Sequence, residues 1–197
     1  MTMAADNEHF SIDDLSTEAA HPARYGAPAI ALHWLVAITL AITIPLGMML
    51  ETPPQGWGDT VYRLHWSFGI LALCLGGPRL INRLGAPAPA PYAGLTPLEK
   101  TLSSVTHLAL YALLIIVPVL GWAGKSAYGG AITIFGLFDL PALVAQSEAA
   151  AKTLFSLHKL AVKGLIFFAV LHVVGALFHA FVRRDGVMAR MMPWSKG

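Results

Sequence analysis

The chain has 197 residues, of which 56% are hydrophobic and only 12% are charged, and its formal net charge is +2. This composition is more apolar than that of ordinary soluble domains, and so small and scattered a charge argues against nucleic-acid binding. A single cysteine, Cys74, excludes an internal disulfide and a cysteine-ligated iron–sulfur cluster. The composition therefore favours a membrane protein of one domain.

Residues 1–24 are polar and acidic, and the first apolar stretch begins too late for a signal peptide. We expect these residues to form a disordered cytoplasmic arm. A single membrane domain over residues 25–194 is predicted to follow the arm.

Four segments of this domain are apolar enough to cross a bilayer, and each approaches the ~20 residues that a spanning helix needs. Pro45 and Pro118 interrupt the first and third segments, which membrane helices tolerate. The prediction is an all-α membrane protein, a bundle of four transmembrane helices; a large soluble helical core is the alternative. The segments lie near residues 27–50, 63–83, 101–124 and 155–182.

Two connections between these segments have features of their own. The linker GAPAPAPYAGLTP is rich in proline and alanine and predicts an extended, fairly stiff connection. Thr96, Pro97 and Glu99 then match a helix N-cap with proline at the first helical position. Residues 125–153 contain AITIFGLFDLPAL, which is too short to span and is expected to lie in the membrane interface or to cap the bundle.

Lysine and arginine near the segment ends indicate the orientation, because cytoplasmic loops carry an excess of both. The bias is modest and places both termini inside. Its best single indicator is the cluster RRDGVMAR immediately after the fourth segment.

Histidines occupy matching depths in this topology. In the fourth segment, His158 and His172 are fourteen residues apart, which advances a helix by about 21 Å and returns to within about 40° of the same face. Their depths match that of His65 on the outer side, and those of His33 and His107 on the inner side. The predicted pairs are therefore His65 with His158, and either His33 or His107 with His172.

Imidazoles are costly in hydrocarbon unless they bind or pair with something, so the set indicates a cofactor. Zinc would require additional ligands close by, whereas no Asp or Glu lies within the predicted spans. Bis-histidine haem needs one imidazole on each side of a macrocycle and no acidic ligand. Basic residues near the span ends are candidates to form ion pairs with the haem propionates, although anchoring at the membrane interface would also explain them. They are Arg63, Arg79 and Lys159.

Four stretches carry a resemblance to a known family: ALHWLVAITLAITIPLGMM, YRLHWSFGILALCLGGPRL, HLALYALLIIVPVLGW and LHKLAVKGLIFFAVLHVVGALFHAF, with a terminal RMMPW. Together they resemble the prokaryotic cytochrome b561 family over roughly residues 23–194. The resemblance implies four transmembrane helices in the bacterial inner membrane that hold two b-type haems.

The family pattern also implies roles for individual residues. The axial ligands of the haem irons would be His33 and His172 on the inner side, and His65 and His158 on the outer side. His107 matches a family histidine that lines the cofactor or a quinone pocket. The candidate catalytic residue is His179, which matches a histidine near the quinone and would hydrogen-bond a quinone carbonyl and donate a proton. Trp34 would help to line the same pocket, or else anchor the helix at the interface.

Within the family, the pattern is similar to that of bacterial enzymes that take an electron from superoxide and pass it to ubiquinone. The resemblance therefore implies superoxide as the outer donor and the ubiquinone pool as the acceptor. An outer rim of basic residues would attract the anion: Arg63, Lys125, Lys152, Lys159 and Lys163.

An electron-transfer subunit without its own substrate chemistry is the main alternative. Such a cytochrome would carry electrons between quinone and a partner dehydrogenase, hydrogenase or periplasmic cytochrome. A third class is a haem-binding structural or sensor protein. The long outer connection with its apolar stretch would be the place for a partner to dock.

Overall fold

A computed structural model of the chain describes residues 24–86, 89–90, 92 and 94–194. Except for Arg24, the predicted polar arm over residues 1–24 lies outside the described residues.

Four long helices make up most of the described chain: α1 (Ala27–Met49), α2 (Gly58–Gly85), α3 (Pro97–Tyr128) and α4 (Glu148–Leu177). All four are long and apolar enough to cross a membrane, which confirms the predicted four-helix bundle. The fourth span is longer than predicted, because α4 begins at Glu148 rather than near residue 155; together with the π-helical turn that follows it, Phe178–Arg183, it covers 36 residues.

Local sequence explains where the last two long helices begin. Thr96 forms a complete capping box with Glu99, and Pro97 occupies the first turn, as the sequence predicts. Ser147 caps α4, where its side chain accepts a hydrogen bond from the Ala150 backbone N–H. Each cap pairs one of the N–H groups that the first turn of a helix leaves free.

The helices pack in chain order, α1 on α2, α2 on α3 and α3 on α4. Where α1, α2 and α3 meet, Val36, Ala72 and Leu114 form a small buried cluster. Large apolar side chains such as Leu160 and Phe167 are instead more than 60% exposed. That distribution is expected of a membrane bundle, since lipid tails are as apolar as leucine and cover these surfaces in the bilayer.

A short antiparallel hairpin follows α3, with strands β1 (Ile132–Ile134) and β2 (Phe138–Leu140). Ile132 and Ile134 pack against Ile70 of α2, so the apolar stretch AITIFGLFDLPAL covers the side of the bundle as a pair of strands. In the hairpin turn, the Phe135 N–H donates to the hydroxyl of the fully buried Ser67, 2.9 Å away.

At the opposite end of the bundle, the segment after α4 folds back on the start of α1. It contains a 3₁₀ turn, Met188–Met191. Trp34 Nε1 donates to the Met191 carbonyl at 2.8 Å, and the Arg24 guanidinium donates to the Met192 carbonyl. We call this the termini end of the bundle, and the end with the strands the hairpin end.

Candidate functional site: two levels of paired histidines

His65 of α2 and His158 of α4 face each other toward the hairpin end, with ring centroids 6.3 Å apart. Each Nδ1 lies against a backbone carbonyl oxygen, His65 at 3.1 Å from Thr43 and His158 at 2.9 Å from Val117. A carbonyl only accepts, so each Nδ1 carries the proton and each Nε2 is left with its lone pair. Metal-binding histidines are commonly oriented by such a bond.

Two glycines let these rings approach the neighbouring helices closely. A Cβ on Gly47 would lie 2.7 Å from His65 Cε1, and a Cβ on Gly121 would lie 3.2 Å from both Cε1 and Nδ1 of His158. In both cases the carbonyl that holds Nδ1 belongs to the residue four positions before the glycine. The two histidines are therefore seated in the same way, His65 on α1 and His158 on α3.

Three histidines meet toward the termini end. The His172 ring centroid lies 6.0 Å from that of His33 and 5.1 Å from that of His107. The His107 Nδ1–H donates to the Ser103 carbonyl at 2.6 Å. His33 differs, because its Nδ1 lies 3.0 Å from Nη2 of Arg79, a group that can only donate.

Bis-histidine haem is consistent with this geometry. An iron bonded to two imidazole nitrogens at about 2 Å each separates the ring centroids by roughly 6.3 Å. The His65–His158 pair matches that spacing, and the His33–His172 pair is within a few tenths of an ångström of it. Within the described residues, no group of three or more His, Cys, Asp or Glu side chains could hold a metal ion. The pairs therefore suit a metal whose other ligands come from a macrocycle.

Distance and hydrogen bonding point to different partners for His172. The hydrogen bond of His107 is the one expected of a ligand, but its ring is about 1 Å too close to His172 for an iron between them. The distance from His33 to His172 fits better. However, Arg79 donates to Nδ1 of His33, so in a neutral ring the hydrogen is on Nε2, and ligation through Nε2 would require Arg79 to move away. Helix packing sets the distance between the rings, whereas the long Arg79 side chain can move to a carboxylate, so the geometry favours His33.

The helices leave open space beside several glycines and between α1 and α4. Within the described part of the chain, a Cβ on Gly69, Gly77 or Gly175 would meet no atom within 4 Å. α1 and α4 make few direct contacts, and an apolar crevice of about 300 Å³ separates Ile44 from the stretch of α4 around Val170. Gly76 and Gly164 instead serve helix packing, against Leu114 and Leu113 respectively.

The three basic candidates for the propionates occupy different surroundings. Arg79 is half-buried between His33, the Ala29 carbonyl and the Tyr111 ring. Lys159 is exposed and forms an ion pair with Glu51 at 2.9 Å. The hydrogen bond from Lys159, together with its positive charge, lowers the pKa of the Glu51 carboxyl, which is therefore ionised at neutral pH. The Arg63 side chain is exposed near the hairpin end.

His179 and Trp34 both lie near the termini end but in separate contacts. His179 lies in the π-helical turn, where its Nδ1 is 2.6 Å from the Asp185 carboxylate. The Trp34 ring lies edge-on to His33, with centroids 5.5 Å apart, and its N–H is taken up by Met191. Sequence reasoning missed both partners, since Met191 is 157 residues from Trp34 and the spacing of His179 and Asp185 is not that of an α-helical turn.

Four membrane-length helices that bring histidines together at two levels define a membrane cytochrome of the b type. The chain belongs to the prokaryotic cytochrome b561 family, whose model matches residues 24–194. That match covers all four helices and every paired histidine.

Three relatives illustrate the range of the family. Cytochrome b561 homolog 2 of Escherichia coli K12 is 34% identical over 87% of this chain and 92% of its own length. A probable superoxide oxidase of Yersinia pestis is 29% identical over 88% of this chain and 98% of its own length. Cytochrome b562 of Cereibacter sphaeroides is 30% identical over 83% of this chain and 91% of its own length.

Family and fold together establish the general activity. The protein is a multi-pass bacterial membrane protein that binds haem b and transfers electrons. These conclusions confirm the predicted family and fold class.

Proposed function

We propose that the chain binds two b haems and passes electrons from superoxide, at the hairpin end, to ubiquinone at the termini end. The observation that supports two haems is the presence on one helix of a histidine from each pair, His158 and His172. Haem, when bound, supplies a one-electron carrier at each level. His65 and His158 would hold one haem, and His33 and His172 would hold the other.

The expected stoichiometry is two haems per chain, both low-spin and held without covalent attachment, because the chain has no CxxCH motif. Purified protein should be assayed for haem against protein mass, and its spectrum should be that of six-coordinate iron. One haem per chain, or a five-coordinate spectrum, would contradict the two-site proposal.

The hairpin end is proposed to face the outer side, with both termini in the cytoplasm. Its support is the basic cluster of Arg183, Arg184 and Arg190 at the other end of α4. A tag accessibility assay in spheroplasts, with tags at either terminus and in the loop before α4, would test the orientation.

Superoxide is an anion, so fixed charge at the hairpin end should control its encounter with the protein. Of the five basic residues predicted to form a rim there, Lys159 is paired with Glu51 and Lys152 with Glu148. Lys125 lies over the Trp66 ring, 4.4 Å from its centroid. Lys163 lies about 140° around α4 from His158, which directs its side chain away from the histidine pair. We therefore expect Lys159 to contribute more to the attraction of superoxide.

The steering proposal is tested by stopped-flow reduction of the haem with superoxide at increasing ionic strength. The rate should fall as the screening length shortens from about 30 Å at 0.01 M to about 8 Å at 0.15 M. Lys159→Gln with Lys163→Gln should slow the reaction and flatten its salt dependence, whereas Glu51→Gln should accelerate it. A rate that is indifferent to salt and to all three changes would contradict steering.

The proposed reaction balances in electrons and protons. Two superoxide anions give two molecules of oxygen, and their two electrons together with two protons convert ubiquinone to ubiquinol. His179, beyond His172 at the termini end, is the proposed proton donor to a quinone oxygen. His179→Ala should keep both haems but slow their reoxidation by quinone; loss of a haem would mean that the ligand assignment is wrong.

A partner-dependent cytochrome is the second candidate, favoured by the surface of the hairpin. Phe135, Leu137 and Phe138 are between 44% and 79% exposed there, an apolar patch that a protein partner would cover. If superoxide does not reduce the haem at all, this candidate replaces the first, and quinol or a protein partner becomes the donor.

A further inference from the structure

His179 and Asp185 form a buried pair just beyond α4. Their side chains are only 15% and 5% exposed, and His179 Nδ1 lies 2.6 Å from Asp185 Oδ2. Two irregular elements bring them together, the π-helical turn that carries His179 and the left-handed conformation of Arg184, with φ 51°. Such turns inside helices are frequent at functional sites, where they re-aim side chains.

The carboxylate is held in place by a second contact, because Asp185 Oδ1 accepts the Val187 backbone N–H at 3.1 Å. Burial alone would raise the pKa of Asp185, but the hydrogen bonds from His179 and Val187 and the positive charge of Arg183 outweigh it and lower that pKa. Asp185 is therefore ionised at neutral pH and can only accept hydrogen bonds. It follows that His179 Nδ1 carries a proton.

Two other charged side chains, Arg183 and Glu99, lie close to the pair. Arg183 Nε lies 3.8 Å from Asp185 Oδ2, and its Nη1 lies 3.5 Å from Glu99 Oε1 of α3. Arg183 also donates to the Gly94 carbonyl at 2.6 Å. The group thus links the end of α4 to the start of α3, and Arg183 lies between the two carboxylates.

We propose that Asp185 is the positioning residue of the quinone site, and that it makes Nε2 of His179 the nitrogen that delivers protons. This inference rests on the proposed quinone function. In the protonated imidazole both nitrogens carry hydrogen; transfer of the Nε2 proton to a quinone oxygen leaves the neutral Nδ1–H tautomer, which the carboxylate already favours. Each quinone takes up two electrons through the haems and two protons, and no other reactant is needed.

The arrangement is the one that makes histidine an effective acid, since a buried carboxylate fixes its tautomer and stabilises its positive form. Asparagine at position 185 would keep the size of the side chain but remove the charge. His179 would then be free to adopt either tautomer. Glutamate would keep the charge on a longer side chain and should restore part of the function.

The test compares wild-type protein, Asp185→Asn and Asp185→Glu, all loaded with haem. The haem is reduced with dithionite, the excess is removed, and reoxidation by a short-chain ubiquinone is followed from pH 6 to pH 9. We expect Asp185→Asn to lower the maximal rate by about 10- to 100-fold and to move the alkaline limb of the pH profile to lower pH. Glu148→Gln, which removes one exposed negative charge at the other end of α4, is the matched control and should leave both unchanged.

A second measurement does not depend on turnover. Nitrogen-15 NMR of labelled histidine should find His179 as the Nδ1–H tautomer at high pH in the wild-type protein and as a mixture in Asp185→Asn. Unaltered haem spectra and content in the variant would show that the fold is kept.

The outcomes separate the two proposals. If the wild type fails to reduce quinone, the proposed acceptor is wrong and the inference falls with it. If the wild type reduces quinone and Asp185→Asn matches it in rate, pH profile and tautomer, quinone reduction stands and the role of Asp185 is refuted. If Asp185→Asn is slower but its pH profile is unshifted, and if Asp185→Glu does not restore the rate, Asp185 has only a structural role and the proposal is refuted.

Discussion

A single methyl group at position 47 should disturb the histidine pair near the hairpin end. The Cβ of Gly47→Ala would stand 2.7 Å from His65 Cε1, whereas unstrained carbon atoms approach to about 3.5 Å. The ring must therefore retreat by roughly 0.8 Å. Its Nδ1 is already 3.1 Å from the Thr43 carbonyl oxygen, so such a retreat stretches this bond beyond the usual range.

The corresponding change on α3 should be milder. A Cβ on Gly121 would lie 3.2 Å from His158, which leaves only about 0.3 Å to be relieved. Changes in the bonds that orient a metal-binding histidine typically cost 10- to 100-fold in affinity. We therefore expect Gly47→Ala to weaken haem binding near the hairpin end by about that factor, and Gly121→Ala to weaken it less.

The assay is haem content per chain, with the midpoint potential of each haem, in protein purified without added haem. Gly164→Ala is the matched control, because its Cβ would meet Leu113 at an ordinary 3.6 Å within a membrane helix. Alanine also favours helix over glycine by about 1 kcal/mol, so the loss cannot be ascribed to a weaker helix. Equal haem content and potentials in Gly47→Ala and Gly164→Ala would refute the seating of His65 as described.

Three further predictions follow from the same structure. Alanine variants should separate the two levels, one haem being lost with each change at His65, His158, His33 or His172; if His107→Ala removes a haem and His33→Ala does not, the partner of His172 must be exchanged. Ser67→Ala leaves the Phe135 N–H without its acceptor and should destabilise the hairpin by about 1–3 kcal/mol, measured by hydrogen exchange, whereas Ser104→Ala, at an exposed serine that bonds only its own helix, should cost little. The folded-state pKa of Asp185 lies below its ordinary value of 3.8, so its stabilising contribution is present at neutral pH and is lost as the pH falls through the folded-state pKa. Thermal melts of Asp185→Asn should therefore depend less on pH below about 5.

Features that arise within one segment could be predicted from the sequence. Four spans follow from apolar length, and the start of α3 follows from Thr96, Pro97 and Glu99. The meeting of His65 with His158 needs only helix geometry and matching depth. Each of these inferences depends on residues close in the chain or on the thickness of a bilayer.

Other features depend on tertiary contacts that neither local pattern nor membrane depth encodes, and these could not be predicted. Strands of three residues carry too little pattern to identify, and the hairpin forms because Ile132 and Ile134 pack on α2. Glu51 and Lys159 are 108 residues apart, so no local spacing connects them. Asp185 reaches His179 only because the chain leaves α-helical geometry between them.

The two levels of the bundle differ in how completely the protein prepares them for a ligand. Toward the hairpin end, both rings are held by carbonyls and seated beside glycines, so each Nε2 is already the free nitrogen. Toward the termini end, Arg79 donates a hydrogen bond to Nδ1 of His33, and a third imidazole, that of His107, also contacts His172. A cofactor carboxylate would draw Arg79 away and restore the hydrogen-bonding state that ligation needs, since guanidinium pairs preferentially with carboxylate. Binding of the proposed haem at that level would therefore include a rearrangement of side chains, and a site that rearranges on binding loses affinity relative to one already in its bound geometry.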